Sequence, residues 1–250
     1  LSSGTVSANG EAGGGSLFIG GSHRGTNLNP DQHNSATVEI EQEANVQADS
    51  TGTGDGGTVI VYGHDFAAIR GELSAHGGLL AGDGGFIETS AKTLAIEKPP
   101  QLSAPAGRAG TWLIDPANIT ISTTANSNIT AESPFSPTSA SSFLNVSTLI
   151  NALNQGASVI VDTTGIPDTG TDSGNITINA AISTTGGNNG ASIDFRAHNA
   201  INLNNSISST SSPLSITFLT DQDGDGSGAL NWGNATLDLR GGTAFVMRGG

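Results

Sequence analysis

Cysteine is absent from the 250 residues, which excludes disulfides, thiolate chemistry and cysteine-type zinc sites without fixing the compartment. Its absence is compatible with a chain that stays unfolded while crossing membranes. Basic residues are scarce: 8 Lys and Arg stand against 22 Asp and Glu, a formal net charge of −14. Binding to nucleic acid or to an anionic membrane requires cations that neutralise phosphate, so neither partner is expected. No run approaches the ~18 apolar residues of a membrane-spanning helix, and no membrane insertion is expected. The opening LSSGTVSANG lacks the basic and apolar regions of a signal peptide, so the chain reads as an internal or mature piece. Aromatic residues are few, at 8 Phe, 2 Trp and 1 Tyr, which implies a thin core of Ile, Leu, Val and Ala. Charged residues make up 12%, roughly half the usual share. Disorder combines low hydrophobicity with high charge density, and the regular apolar alternation described next argues against it.

What the chain does contain is repetition. NITINAAIS at 175–183 returns 25 positions later as AINLNNSIS at 200–208. Ile176, Ile178 and Ile182 map onto Ile201, Leu203 and Ile207, with Thr177, Asn179, Asn202 and Asn204 alternating between them, as in a half-buried strand. The frame recurs at 229–237, ALNWGNATL, 29 positions further on, with the longer turn Asp221 to Gly228 absorbing the difference. In the first half, GDGG at 54–57 recurs at 82–85, and Gly13-Gly14-Gly15-Ser16-Leu17-Phe18-Ile19 is an earlier copy. Glycine at regular places suits tight corners that need φ > 0. Ser, Thr and Asn at the polar positions suit the outer face of a parallel sheet, where equivalent side chains stack at ~4.8 Å.

A repeat of ~25 residues is too short for a propeller blade and fits three short strands per coil, so the expected fold is all-β, a right-handed parallel β-helix (solenoid) with one short helical excursion. Residues 1–98 form a glycine-rich unit with strands expected at Ser16–Ile19, Thr37–Glu41, Thr58–Tyr62, Gly85–Thr89 and Thr93–Glu97. Pro99 and Pro100 open a connection over 99–116. The β-helix continues over 117–250, where strands are expected at Asn118–Ser122, Ser158–Asp162 and Phe245–Met247 and where 123–156 carries an extra-helical loop and the helix. The polar stretch Thr123 to Asn145 reads as the excursion, and Ser147 to Gly156 as a helix with Ser147 as N-cap and Leu149, Ile150 and Leu153 on one face, a lid or connector for the core. No polar cap is evident at Met247-Arg248-Gly249-Gly250, which reads as an edge that further coils would cover.

GDGGFIETSAKTLAI at 82–96 and GRAGTWLIDPANITI at 107–121 resemble the haemagglutinin-type repeats of filamentous-haemagglutinin-like exoproteins, the two-partner secretion adhesins of Gram-negative bacteria. The later NITI and DQDGDGSG stretches extend the similarity over most of the chain. The resemblance implies a long right-handed β-helix, extracellular or on the bacterial cell surface, acting in adhesion, aggregation or biofilm formation. It also implies an outer-membrane secretion partner for the full-length protein, and a host-cell receptor or extracellular polysaccharide as ligand. The Asn-Pro-Asn motifs of the secretion domain are missing, and Asn27-Leu28-Asn29-Pro30 echoes them only in part.

Candidate sites are few. Asp221, Asp223, Asp225 and Ser227 alternate in DQDGDGSG, so that successive oxygens converge on a hard cation such as calcium, with Gly226 at the bend. The twelfth position of an EF-hand-like loop would be Trp232 instead of Glu, and a solvated acidic turn is the alternative. His64-Asp65 and Arg70-Gly71-Glu72 superficially suggest an acid–base pair and a cell-attachment tripeptide, but neighbours in a strand point to opposite faces. Trp112 and Trp232 suit apolar packing or sugar stacking. Asn118, Asn145 and Asn234 stand in Asn-x-Ser/Thr sequons. No catalytic residue is assigned, no cofactor is required, and Arg240 is the nearest basic residue downstream of the acidic turn. The expected function is structural and adhesive, not enzymatic. The alternatives are the delivery rod of a contact-dependent toxin and a carbohydrate-active β-helix enzyme.

Overall fold

The computed structural model describes residues 1–26, 31, 33–124, 141–166, 174–187 and 190–249. Strands account for 45% of the described residues and helix for 5%, so sheet pairing holds the core together. The strands are β1 Ser3–Ser7, β2 Ser16–Ile19, β3 Thr37–Ile40, β4 Glu43–Gln47, β5 Thr58–Ile69, β6 Glu72–Ser74, β7 Phe86–Ile96, β8 Thr111–Pro116, β9 Ile119–Ser122 and β10 Ser142–Asn145. After helix α1, Val146–Asn154, come β11 Ser158–Asp162, β12 Ile176–Ile178, β13 Ile182–Thr184, β14 Ser192–Arg196, β15 Ile201–Leu203, β16 Ile207–Ser209, β17 Ser215–Thr220, β18 Leu230–Trp232, β19 Leu237–Asp238 and β20 Ala244–Arg248.

The fold is all-β and parallel. One sheet of 14 strands curls into a half-barrel, and two three-stranded sheets, β1-β4-β6 and β13-β16-β19, accompany it. In the large sheet, β2-β5-β7-β8-β11-β14-β17-β20 form one row. The second row runs from β3 through β5, β7, β10, β9, β12 and β15 to β18. The long strands β5 and β7 serve both rows, because a bulge between Gly63 and Phe66 bends β5.

Register explains the core. Inward positions repeat along the first row as Leu17, Val59, Ile87, Trp112, Val159, Ile193, Ile216 and Ala244, each paired in register with the next. The adjacent ladder runs Ile19, Val61, Thr89, Ile114, Val161, Phe195, Phe218 and Val246, the last of them exposed. Thr89 is its one hydroxyl, and its Oγ1 accepts the Trp112 indole N–H at 3.1 Å in a fully buried setting. The rings of Phe195 and Phe218 stack with centroids 5.6 Å apart.

The 25-residue recurrence appears as register: Ile176 pairs with Ile201, Ile178 with Leu203 and Ile182 with Ile207, all buried. In the next repeat Ile201 pairs with Leu230, at the expected shift of 29, but Ile207 pairs with Leu237, one residue further on. One extra residue is therefore taken up between Trp232 and Leu237.

The repeated glycines are explained by close approach, which corrects the expectation of left-handed corners. Within the two GDGG copies only Gly82 has a left-handed φ. A Cβ on Gly57 would lie 2.0 Å from the Gly15 carbonyl oxygen, one on Gly85 2.0 Å from that of Gly57, and one on Gly110 2.1 Å from that of Gly85. The bare backbones let Gly57, Gly85 and Gly110 donate to the carbonyls of Ala48, Ala75 and Leu102 at 2.6, 2.8 and 2.8 Å.

Two further expectations are corrected. The stretch Thr123 to Asn145 does not lie wholly outside the sheet, because Ser142–Asn145 is the strand β10, inserted between β7 and β9. Its middle, 125–140, lies outside the described residues. Helix α1 is capped by Asn145, not Ser147: the Asn145 Oδ1 accepts the Ser147 N–H at 2.8 Å. Leu149, Ala152 and Leu153 join the core cluster, so the helix lies on the core as expected of a lid. Asn154 Oδ1 fastens it to β13 by accepting from the Thr184 hydroxyl at 2.7 Å.

Candidate functional site

The acidic turn Asp221 to Gly228 joins β17 to β18. Asp221 has a left-handed backbone, φ 56°, as do Gly224 and Gly226. This coil brings carboxylate oxygens of Asp221, Asp223 and Asp225 within 4.8 Å of one another, as the spacing anticipated. Ser227 contributes its N–H to Asp225 Oδ1 at 2.7 Å. Asp221 is buried, and both its oxygens are engaged: Oδ1 accepts the Gly226 N–H at 3.1 Å and Oδ2 the Arg248 Nε–H at 2.9 Å. Burial alone would raise its pKa, but the Gly226 N–H and Arg248 outweigh it and hold the carboxyl below its ordinary range. The donor set suits a hard cation, yet calcium would meet Asp223 and Asp225 first and compete with Arg248 for Asp221. Arg248, not Arg240, is the arginine at this turn, since the β17–β20 register sets Thr220 against Arg248, and His198 Nδ1 lies 3.6 Å from Asp223 Oδ2.

A second cluster carried no signal as a cluster in the sequence. It lies on the outer face of the first row, where Glu88 and Ser90 of β7, Asp115 of β8 and Asp162 of β11 are all buried. Gly165 lies directly against Asp115, and Glu88 and Asp162 are covered by the turn from Gly20 to Thr26. In this turn Gly25, at φ 65°, presses against Tyr62 of β5, where a Cβ would meet the ring at 2.4 Å. Arg24, also left-handed at φ 52°, donates its backbone N–H to Glu88 Oε1 at 2.8 Å and its Nη2 to Asp162 Oδ2 at 2.5 Å. His23 Nδ1 lies 2.5 Å from Glu88 Oε2, and the Ser90 hydroxyl donates to Glu88 Oε1 at 2.7 Å. Thr164 gives Asp162 Oδ1 both its N–H and its hydroxyl, at 2.8 and 2.6 Å.

Asp115 is the least satisfied member. Among the described residues its Oδ1 accepts the Gly165 N–H alone, at 3.2 Å, and its buried Oδ2 has no hydrogen bond, with Arg24 Nε 3.9 Å away. Burial, then the neighbouring Asp162 charge, pushes its pKa up to about 7. For Arg24, Asp162 and then Asp115 outweigh the burial and hold the guanidinium above its ordinary value. Beside the cluster runs a groove of about 570 Å³ with Leu113, Ile160 and Leu219 among its apolar residues and Arg24, Asp162 and Arg196 among its polar ones. Glu88 and Asp115 do not line it.

The other singled-out residues fall elsewhere. Trp112 is wholly buried, whereas Trp232 is 45% exposed and meets Phe218 edge-on. Arg70 pairs with Glu97 at 2.5 Å. His64 and Asp65 do touch, Nδ1 to Oδ1 at 2.8 Å, contrary to the strand alternation expected of them, because they occupy the β5 bulge. Both are exposed.

Fold and clusters together define an all-β protein of parallel strands whose buried Asp162 and Asp221 are tied to its own arginines. No family model matches the chain, and no curated protein matches it either.

Proposed function

We propose that this chain is a section of an extracellular adhesive rod of a bacterial surface protein, a right-handed parallel β-helix that performs no covalent chemistry of its own. The observation that carries this reading is the inward ladder from Leu17 to Ala244, eight strands in unbroken parallel register. A stack of that kind extends a surface at ~4.8 Å per strand with only nearest-neighbour contacts. Its outer positions support the same reading. Asn202 donates to Thr177 at 3.2 Å, Asn231 to Asn202 at 2.8 Å and Asn204 to Asn179 at 2.8 Å, giving polar rows suited to many weak contacts with a receptor or polysaccharide. Export through an outer-membrane partner belongs to this proposal. Calcium at the acidic turn is an optional ligand of such a rod, not a requirement.

Deleting the segment from its parent protein is expected to shorten the surface fibre and weaken cell attachment or aggregation. The purified chain is expected to leave polysaccharides intact. Turnover of pectin-like glycans, lost on Asp223→Ala or Asp225→Ala, would overturn the reading in favour of an enzyme.

A further inference from the structure

The Gly20–Thr26 turn is a short piece of chain laid over three strands that lie far from it in sequence. Arg24 and His23 hold it to Glu88 and Asp162, Gly25 packs on Tyr62, and the His23 ring meets Phe86 edge-on. Beneath it lies one carboxyl oxygen, Asp115 Oδ2, with no hydrogen-bond donor, capped from the far side by Gly165, where a Cβ would meet it at 1.9 Å. A buried carboxylate without donors is strongly disfavoured, whereas a buried carboxylic acid is tolerated. The groups around it are Arg24 of the turn, Tyr62 of β5, Glu88 of β7 and Asp162 of β11; beyond these, His23 lies against Glu88, Asp65 near Tyr62 and Arg196 along the groove. Among the described residues Arg24 is the cation that approaches Asp115, and it is already committed to Asp162.

We propose that the Gly20–Thr26 turn is a proton-responsive strap: with Asp115 protonated Arg24 clamps it over the sheet, and when Asp115 gives up its proton the strap lifts and admits water to the outer face of β7, β8 and β11. Lifting removes one wall of the groove, since His23 and Arg24 line it. Linkage fixes the direction. The closed form holds the proton to about pH 7, and a hydrated carboxyl releases it near the ordinary value of about 3.9. The open-to-closed ratio therefore rises by up to about tenfold per pH unit between those limits and is level above them.

The test uses the absence of cysteine. Thr26→Cys carries a nitroxide as the only thiol label, and its mobility is read by electron paramagnetic resonance from pH 5 to pH 8.5. The expected result is an immobilised label at pH 5 that gains mobility as pH rises and levels off above pH 7. Asp115→Asn is expected to keep the label immobilised throughout, Arg24→Gln to leave it mobile throughout, and His23→Gln to keep the pH response, which separates Asp115 from a titrating histidine. Should Asp115→Asn not fold, the His23→Gln and Arg24→Gln arms still decide. A pH-independent signal in the parent, a response that survives Asp115→Asn, or one abolished by His23→Gln would each overturn the proposal. So would mobility gained only by a label at Thr164→Cys, which would make the Gly165 turn, not the strap, the moving part.

Discussion

Arg24 Nη2 lies 2.5 Å from Asp162 Oδ2, although 138 residues separate the two. The contact ties the N-terminal turn to a strand in the middle of the stack. Because Asp162 is 2% exposed, the pair is largely dry on one side.

Arg24→Ala should therefore be costly. Removing one partner of a buried pair leaves the other charge uncompensated, which typically costs about 3–5 kcal/mol. A matching fall in the urea midpoint is expected, while Arg108→Ala, whose exposed partner is Asp83, should change it by about 1 kcal/mol or less.

Asp115 gives the stability a pH slope of unusual sign for a carboxyl. Its folded pKa of about 7 lies above the unfolded value of about 3.9, so its contribution is complete below pH 4 and is lost as pH rises to 7. Wild-type stability should fall between pH 5 and pH 7 relative to Asp115→Asn, by up to about 1.4 kcal/mol per unit, and run parallel to it above pH 7.5. Denaturant melts at four pH values provide the check.

The glycine row offers a steric test. Gly85→Ala would push a methyl to within 2.0 Å of the Gly57 carbonyl oxygen in a fixed backbone, and a loss of about 3 kcal/mol or more is expected. Gly241, left-handed at φ 86° but with nothing within 4 Å, should lose only about 1–2 kcal/mol on the same change. Equal melting temperatures for the two variants would contradict close approach as the reason for the row.

Core ladders respond to polarity. Ile201→Asp places an unpaired carboxylate between Ile176 and Leu230 and is expected to prevent folding or cost several kcal/mol, on the order of 4 or more. Thr89→Val should cost about 1–3 kcal/mol, because it strands the Trp112 N–H. Near-ultraviolet circular dichroism and thermal melts would register both.

At the acidic turn, Arg248 and a cation want the same oxygen. Removing the guanidinium with Arg248→Ala should enlarge the rise in melting temperature on adding millimolar calcium, and adding Asp223→Ala should abolish that gain. Equal melts with calcium and with chelator in Arg248→Ala would leave a solvated turn.

Much of this architecture was legible in the order of residues. The alternation in NITINAAIS and its return at 200–208 specify both inward faces and their neighbour, because successive side chains on a strand point to opposite faces and equal repeats stack in register. The helix was legible too, through its apolar spacing and Gly156, although its cap moved to Asn145. Three features were decided only by the tertiary structure. Ser142–Asn145 reads as polar loop and becomes a strand because its slot between β7 and β9 supplies both partners. His64 meets Asp65 because a bulge, set by the mismatch between β5 and β7, interrupts the alternation. Glu88, Asp115 and Asp162 take outward positions on their strands; Glu88 and Asp162 are buried because a turn more than 60 residues away folds back over them, and Asp115 because Gly165 lies against it. Periodicity determines which way a side chain points. What it points at depends on the path of the connecting chain, and that path follows from contacts distant in sequence.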